Sequence, residues 1–239
     1  MQDKSFMSPA AAQAASIDAG LRAYMLGVYN HMTTALAFTG LAAFATKWAV
    51  LSVPGVGQLL FGSPLAFVVM LAPLGMVFWL SATIHKISPA AARNRFYFYA
   101  AIMGVSLATI LLTYTGASVA RAFFITAGAF AGLSIYGYTT KRNLSALGAF
   151  FVVGLVGLIL ASIVNIFVAS AQFEFAISIV GVLLFAGLTA YDTQKIKSLY
   201  AAGDDAATAG RKSIFGALTL YLDFINMFLF LVRLIGNRE

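Results

Sequence analysis

The sequence predicts an all-α integral membrane protein with seven transmembrane helices. Three observations predict it. Hydrophobic residues fill 61% of the 239 positions and charged residues only 10%, against about 25% charged in an average soluble domain. Mean hydropathy is +0.91, and polar residues are too few to coat a globule of this volume, so the apolar excess must face lipid. Finally, seven apolar stretches approach the roughly 20 residues that cross about 30 Å of hydrocarbon, each bounded by its own breaker or charge signals.

The first span is placed at Met25–Ala45. The residues before it carry Asp3, Lys4, Asp18 and Arg22 without a continuous apolar core. Residues 1–24 therefore read as a cytoplasmic amino-terminal tail and not as a cleavable signal peptide, and residues 25–239 as the seven-helix transmembrane domain. Val50–Phe61 is apolar but too short to cross, and Pro54, Gly55 and Gly57 favour an interfacial or re-entrant segment over a helix. The second span, Pro64–Ile84, ends at Lys86 and Pro89; the third, Phe96–Tyr114, ends at Thr115-Gly116. The fourth, Ala122–Tyr138, stops before Lys141-Arg142-Asn143, and the fifth, Ser145–Val168, before Gln172 and Glu174. The sixth is Phe175–Tyr191 and the seventh Ser213–Ile235, separated by the polar run from Lys195 to Lys212.

A net charge of +7 could suggest a nucleic-acid partner, but the basic residues lie in short clusters between apolar runs, a pattern that reads as topology. With the amino terminus in the cytoplasm, the inside segments hold Lys4, Arg22, Lys86, Arg93, Arg95, Lys141, Arg142, Lys195, Lys197, Arg211 and Lys212, eleven of the 15 basic residues. Lys47, Arg121, Arg233 and Arg238 remain outside. A multi-pass protein of the cell's inner (plasma) membrane is expected, and the bias puts its carboxyl terminus outside; a seventh span that failed to cross would put that terminus inside. Nucleic acid is not an expected partner, and membrane lipid is.

Cysteine is absent, which removes disulfides, thiolate metal sites and cysteine nucleophiles. No Ser-His-Asp order, His-Glu-x-x-His, P-loop or nucleotide fingerprint occurs. An enzyme is therefore not expected, nor a bound cofactor. Gly128 and Gly132, Gly154 and Gly157, and Gly181 and Gly187 fall at helix-packing spacings and read as close-approach positions. No internal repeat supports an inverted-repeat transporter.

Ionisable groups inside hydrocarbon cost about 2.5 to 3.5 kcal/mol to insert, so each is a functional candidate. Asp223 lies eleven residues beyond Lys212, hence roughly 16 Å into a rising helix. Gly216, Thr219, Asp223, Asn226, Phe230 and Arg233 share one stripe of that helix. Such a stripe must face protein or water, which predicts that the last helix is central in the bundle. Asp192 sits only three residues before Lys195, near the cytoplasmic boundary, so simple depth does not bring the two carboxylates together. His31 and His85 lie near span ends and read as interfacial; two histidines on different helices do not define a metal site.

The segments Phe185-Ala186-Gly187-Leu188-Thr189-Ala190-Tyr191-Asp192-Thr193-Gln194-Lys195-Ile196 and Ala217-Leu218-Thr219-Leu220-Tyr221-Leu222-Asp223-Phe224-Ile225-Asn226-Met227-Phe228 resemble the signatures of the Bax inhibitor-1 family. Thr139 to Ser145 with the glycine-rich span that follows is also similar, and the resemblance runs from about Tyr24 to the carboxyl terminus. It implies a last helix surrounded by the other six, and a pH-sensitive calcium leak. It also implies that Asp192 and Asp223 form a hydrogen-bonded pair whose protonation governs opening, with Thr219, Asn226 and Arg233 as the supporting polar stripe. Calcium would be the transported ion, in weak contact with Asp192 and Asp223, because two carboxylates fall short of the six to eight oxygens of a dedicated site. The sequence departs from the resemblance at one point: some members use a basic residue of the second helix as a latch on the pair, and Pro64–Ile84 contains no Lys or Arg.

The leading functional expectation is thus a passive, pH-gated, calcium-permeable pathway. The alternative is a regulatory membrane protein that modulates others, such as a membrane-anchored protease, with Met1–Leu21 as its cytoplasmic handle.

Overall fold

The computed structural model describes residues 9–238. Eight α-helices follow one another: α1 Pro9–Ser52, α2 Val56–Phe61, α3 Leu65–Thr83, α4 Pro89–Thr113, α5 Gly116–Thr139, α6 Gly148–Val168, α7 Ala171–Ser198 and α8 Ala206–Ile235. All but α2 are long and apolar enough to cross a membrane, seven in total. The all-α membrane fold predicted from composition is the fold observed.

The helices start where the sequence supplies a side chain to take up a free backbone N–H. Ser88 caps α4 by accepting from the amide of Ala91, with Pro89 at the first helical position. Thr115 accepts from Ser118 at α5, Ser170 from Phe173 at α7, and Asp205 from Thr208 at α8. The bond from Thr208 holds the exposed Asp205 carboxyl below its ordinary pKa.

Helices outlast the lipid-length stretches that identify them. α1 spans 44 residues, roughly 66 Å at 1.5 Å per residue, and begins inside the stretch read as a tail. Its start, Pro9-Ala10-Ala11-Ala12, favours helix by propensity alone. Residues 1–8 of that tail lie outside the described residues. The short apolar segment before the second span differs from expectation too, since Gly55 turns the chain at φ 86° and Val56–Phe61 then forms one short helix with no buried residue.

Burial separates the helices sharply. In α8, 72% of the most apolar stretch is buried, against 39% in α7 and 11% in α3 and α6. The main neighbours of α8 are α1, α4, α5 and α7, while α3 packs on α4 and α6 on α7. Side chains that face away from these contacts are large and apolar, such as Phe167 at 83% exposed and Phe124 at 72%, as a lipid-facing surface requires.

Water-driven burial cannot hold these helices together in lipid, so close packing and buried hydrogen bonds must. Thr39 of α1 donates to the carbonyl of Ala35 or Ala100 and meets the Tyr221 hydroxyl at 2.7 Å, joining α1, α4 and α8. His31 Nδ1 lies 2.8 Å from the Tyr97 hydroxyl, which ties α1 to α4 within the span. The His85 ring lies tilted against Phe215, with ring centroids 5.5 Å apart. Of the paired glycines, Gly154, Gly181 and Gly187 are met by Leu184, Phe230 and Phe151, whereas Gly128, Gly132 and Gly157 meet nothing. Approaches of one helix backbone to another fall elsewhere, at Gly104 against the Thr39 carbonyl and at Gly137 against the Ala190 backbone.

The two ends of the bundle are distinct. Tyr24 of α1 packs on Tyr200 beyond α7, with centroids 5.8 Å apart, so the start of α1 and the α7–α8 connection share one end. The residues that follow α8, as far as Arg238, sit at the other. Thr115 donates its amide to the Asn237 carbonyl at 3.0 Å, the Asn237 amide donates to Ser118 at 2.9 Å, and Arg238 lies 3.5 Å from Glu174. The Tyr114 phenol beside Arg238 raises that guanidinium's already high pKa.

Candidate functional site

Two close approaches fix how α7 runs against α8. Ile196 packs on Gly216 and Phe230 packs on Gly181, each where an added methyl would collide with the opposing side chain. Between these points the helices run antiparallel, and Asp192 faces the turn of α8 around Leu220. Asp223 lies roughly one turn deeper, about 5 Å along the axis, which two aspartate side chains can span. Their carboxyl groups come within hydrogen-bonding reach of each other.

This juxtaposition corrects the depths read from charge. Taking Lys195 and Lys212 as level markers separates the aspartates. Lys212 pairs with Asp204 of the α7–α8 connection at 2.6 Å, whereas Ile196, next to Lys195, lies against Gly216 one turn further along α8. The helix α8 begins seven residues before the expected start at Ser213, so its first two turns extend beyond the level from which depth was counted.

Both aspartates are buried, Asp192 at 9% exposed and Asp223 at 5%. One oxygen of Asp223, Oδ2, is fully enclosed and has no hydrogen-bond partner among the described residues. Two carboxylates pressed together in low dielectric repel unless a proton or cation lies between them. The nearest compensating charge is Lys195, one turn along α7 from Asp192. No basic residue of α3 reaches the pair. The cation that does touch α3 is Arg95 of α4, which donates to Thr83 Oγ1 at 3.3 Å and lies 4.3 Å over the Trp79 ring.

The supporting stripe divides. Thr219 donates to the Phe215 carbonyl and Asn226 to that of Leu222, each satisfied within its own helix. Arg233 is exposed and lies near the Phe230 ring at the opposite end. None of the three joins the carboxylates. Next to Asp192 in the chain stands a polar cluster not singled out from sequence: Thr193 donates to Ser134 at 3.4 Å, with the Tyr29 side chain of α1 close to both. It links α1, α5 and α7 next to Asp192. Isolated Tyr, Ser and Thr residues are common in membrane helices, so only their convergence in space marks them.

Among the described residues no cluster of three or more His, Cys, Asp or Glu could hold a metal ion. Any cation at the pair would have two carboxylates at most and would keep part of its water.

The family model described as inhibitor of apoptosis-promoting Bax1 matches residues 21–239. The chain is 45% identical over 224 residues to an uncharacterized protein of Rickettsia prowazekii, covering 94% of this chain and 93% of that protein. It is 44% identical over 224 residues to the inner membrane protein YbhL of Escherichia coli K12, covering 92% and 94%. An uncharacterized protein of Deinococcus radiodurans is 40% identical over 236 residues, covering 99% of each.

Proposed function

Because the chain belongs to the Bax inhibitor-1 family, we propose that it is a pH-sensitive, calcium-permeable leak pathway of the inner membrane, with Asp192 and Asp223 as its gate. The observation that carries this reading is the pair itself, two buried carboxyl groups within hydrogen-bonding reach where α7 packs on the most buried span, one with an orphaned oxygen. The inner-membrane relative supports the location. The amino terminus is assigned to the cytoplasm on the basic-residue bias.

The pair works as a gate through proton number. With one shared proton the carboxyls hydrogen-bond and hold α7 against α8. Loss of that proton leaves two like charges in contact, and their repulsion separates the helices. Opening therefore rises with pH and closure follows acidification. Carboxylate oxygens exposed by separation are the hard ligands calcium prefers, too few to trap it and suited to passage.

The test is calcium entry into proteoliposomes that contain only the purified chain, measured across pH. Flux should rise from acid to alkaline pH, and Asp223→Asn should flatten the profile because the amide keeps the shape and cannot ionise. Absence of flux at every pH would overturn the leak and favour a protein that regulates other membrane proteins.

A further inference from the structure

α1 and α5 both lean on α8 without making a main interface with each other, and the gap between them is a cavity of about 680 Å³. That volume falls within the roughly 300–1,000 Å³ of small-molecule sites. Its walls are Met32, Leu36 and Ala131, and its floor is Phe130 and Phe224, whose rings meet edge to face with centroids 5.6 Å apart. The cavity lies within two membrane-spanning helices, so the medium available to fill it is lipid.

Charge is confined to one end, while the hydroxyls of Tyr29, Thr33 and Ser134 are the polar groups deeper in the lining. Arg22 and Tyr138 line the mouth, at the end of the bundle shared by the start of α1 and the end of α5. Lys197 stands beside that mouth, donating to the Tyr138 carbonyl at 2.8 Å with its ammonium 4.8 Å from the Tyr138 ring centre. Arg22 is exposed and takes part in neither ion pair found among the described residues. No carboxylate lines the cavity. A largely apolar trough with Arg22 at one end, outside both ion pairs of the described residues, and Lys197 held on Tyr138 beside it, is complementary in order and in charge to a phospholipid with an anionic headgroup.

We propose that the α1–α5 cleft is a binding site for one anionic phospholipid, an acyl chain lying over Phe130 and Phe224 and the headgroup at Arg22. This site is separate from the carboxylate pair, and the proposal holds whether or not the protein conducts. The chain's floor contact, Phe224, is the residue after Asp223, so an occupant touches α8 at the turn that carries the pair.

The test uses the full chain in vesicles of phosphatidylcholine and phosphatidylglycerol in equal amounts, extracted in mild detergent, with retained lipid read by native mass spectrometry. The intact protein should retain phosphatidylglycerol about fivefold over phosphatidylcholine, the preference expected from one cation at a headgroup. Arg22→Gln should bring the two lipids toward parity without reducing total lipid retained. Ala131→Trp, at an exposed wall position, should fill the trough and lower retention of both lipids, with an unchanged size-exclusion profile showing that the fold persists. Parity in the intact protein, an undiminished preference in Arg22→Gln, or full retention in Ala131→Trp would each overturn the site.

Discussion

A carboxylate in hydrocarbon costs about 2.5 to 3.5 kcal/mol to insert, and that cost alone makes Asp223 stand out in a helix of Leu, Ile and Phe. Residue type and period were enough to nominate it. Its partnership with Asp192 was not readable, because depth along a helix was counted from Lys195 and Lys212 as if they were level, and Lys212 turns out to pair with Asp204 of the α7–α8 connection. If the two carboxyls share one proton, they titrate as a unit. Asp192→Asn should then flatten the pH profile of calcium flux as far as Asp223→Asn does, and the double variant should add little to either. Flux changes that sum across the two single variants would return the residues to separate structural roles. The Tyr29, Ser134 and Thr193 cluster was invisible for a different reason, since each residue alone is an ordinary constituent of a membrane helix and only α1, α5 and α7 together give it meaning.

At the scale of the element, glycine spacing marks which helices tolerate close approach but not which glycines use it. Gly128 and Gly132 lie a helical turn apart on α5 yet meet no neighbour, while Gly137 of the same helix rests on the Ala190 backbone of α7. The physical difference is azimuth, because α5 presents one side to α7 and α8 and another to lipid. Gly137→Ala should push α5 off α7 and lower stability by about 1–3 kcal/mol, the usual cost of overpacking, seen as a reduced thermal midpoint in detergent. Gly132→Ala should leave that midpoint unchanged or raise it, since alanine favours helix. Equal losses in both would mean that helix flexibility, and not close approach, is what these glycines supply.

At the scale of the whole molecule, the first part of α1 and the residues after α8 lie at opposite ends of the bundle. The start of α1 packs by the α7–α8 connection through Tyr24 and Tyr200, and the last residues bond to the α4–α5 turn. α8 accordingly runs the length of the bundle. Combined with the basic-residue bias, it gives a definite accessibility pattern, easily read because the chain has no cysteine. Single cysteines at Ser145 and Ala206, both exposed, should react with impermeant thiol reagents from the cytoplasmic side alone. A cysteine at Ala117, exposed at the other end, should react from outside alone; its labelling from the cytoplasm would invert the topology.

What the sequence determined by itself was the class, the number of crossings and the identity of the buried acids. Each of these depends on local composition: lipid demands about 20 apolar residues per crossing, and a charge among them is conspicuous wherever it lies. What the tertiary structure alone decided was register and azimuth. Ile196 on Gly216 and Phe230 on Gly181 slide α7 along α8 until Asp192 and Asp223 meet, and the lean of α1 and α5 against α8 leaves a cleft between them. Contacts of that kind join residues far apart in the chain through the shapes of particular side chains, and no periodicity within a single helix encodes which neighbour it will meet.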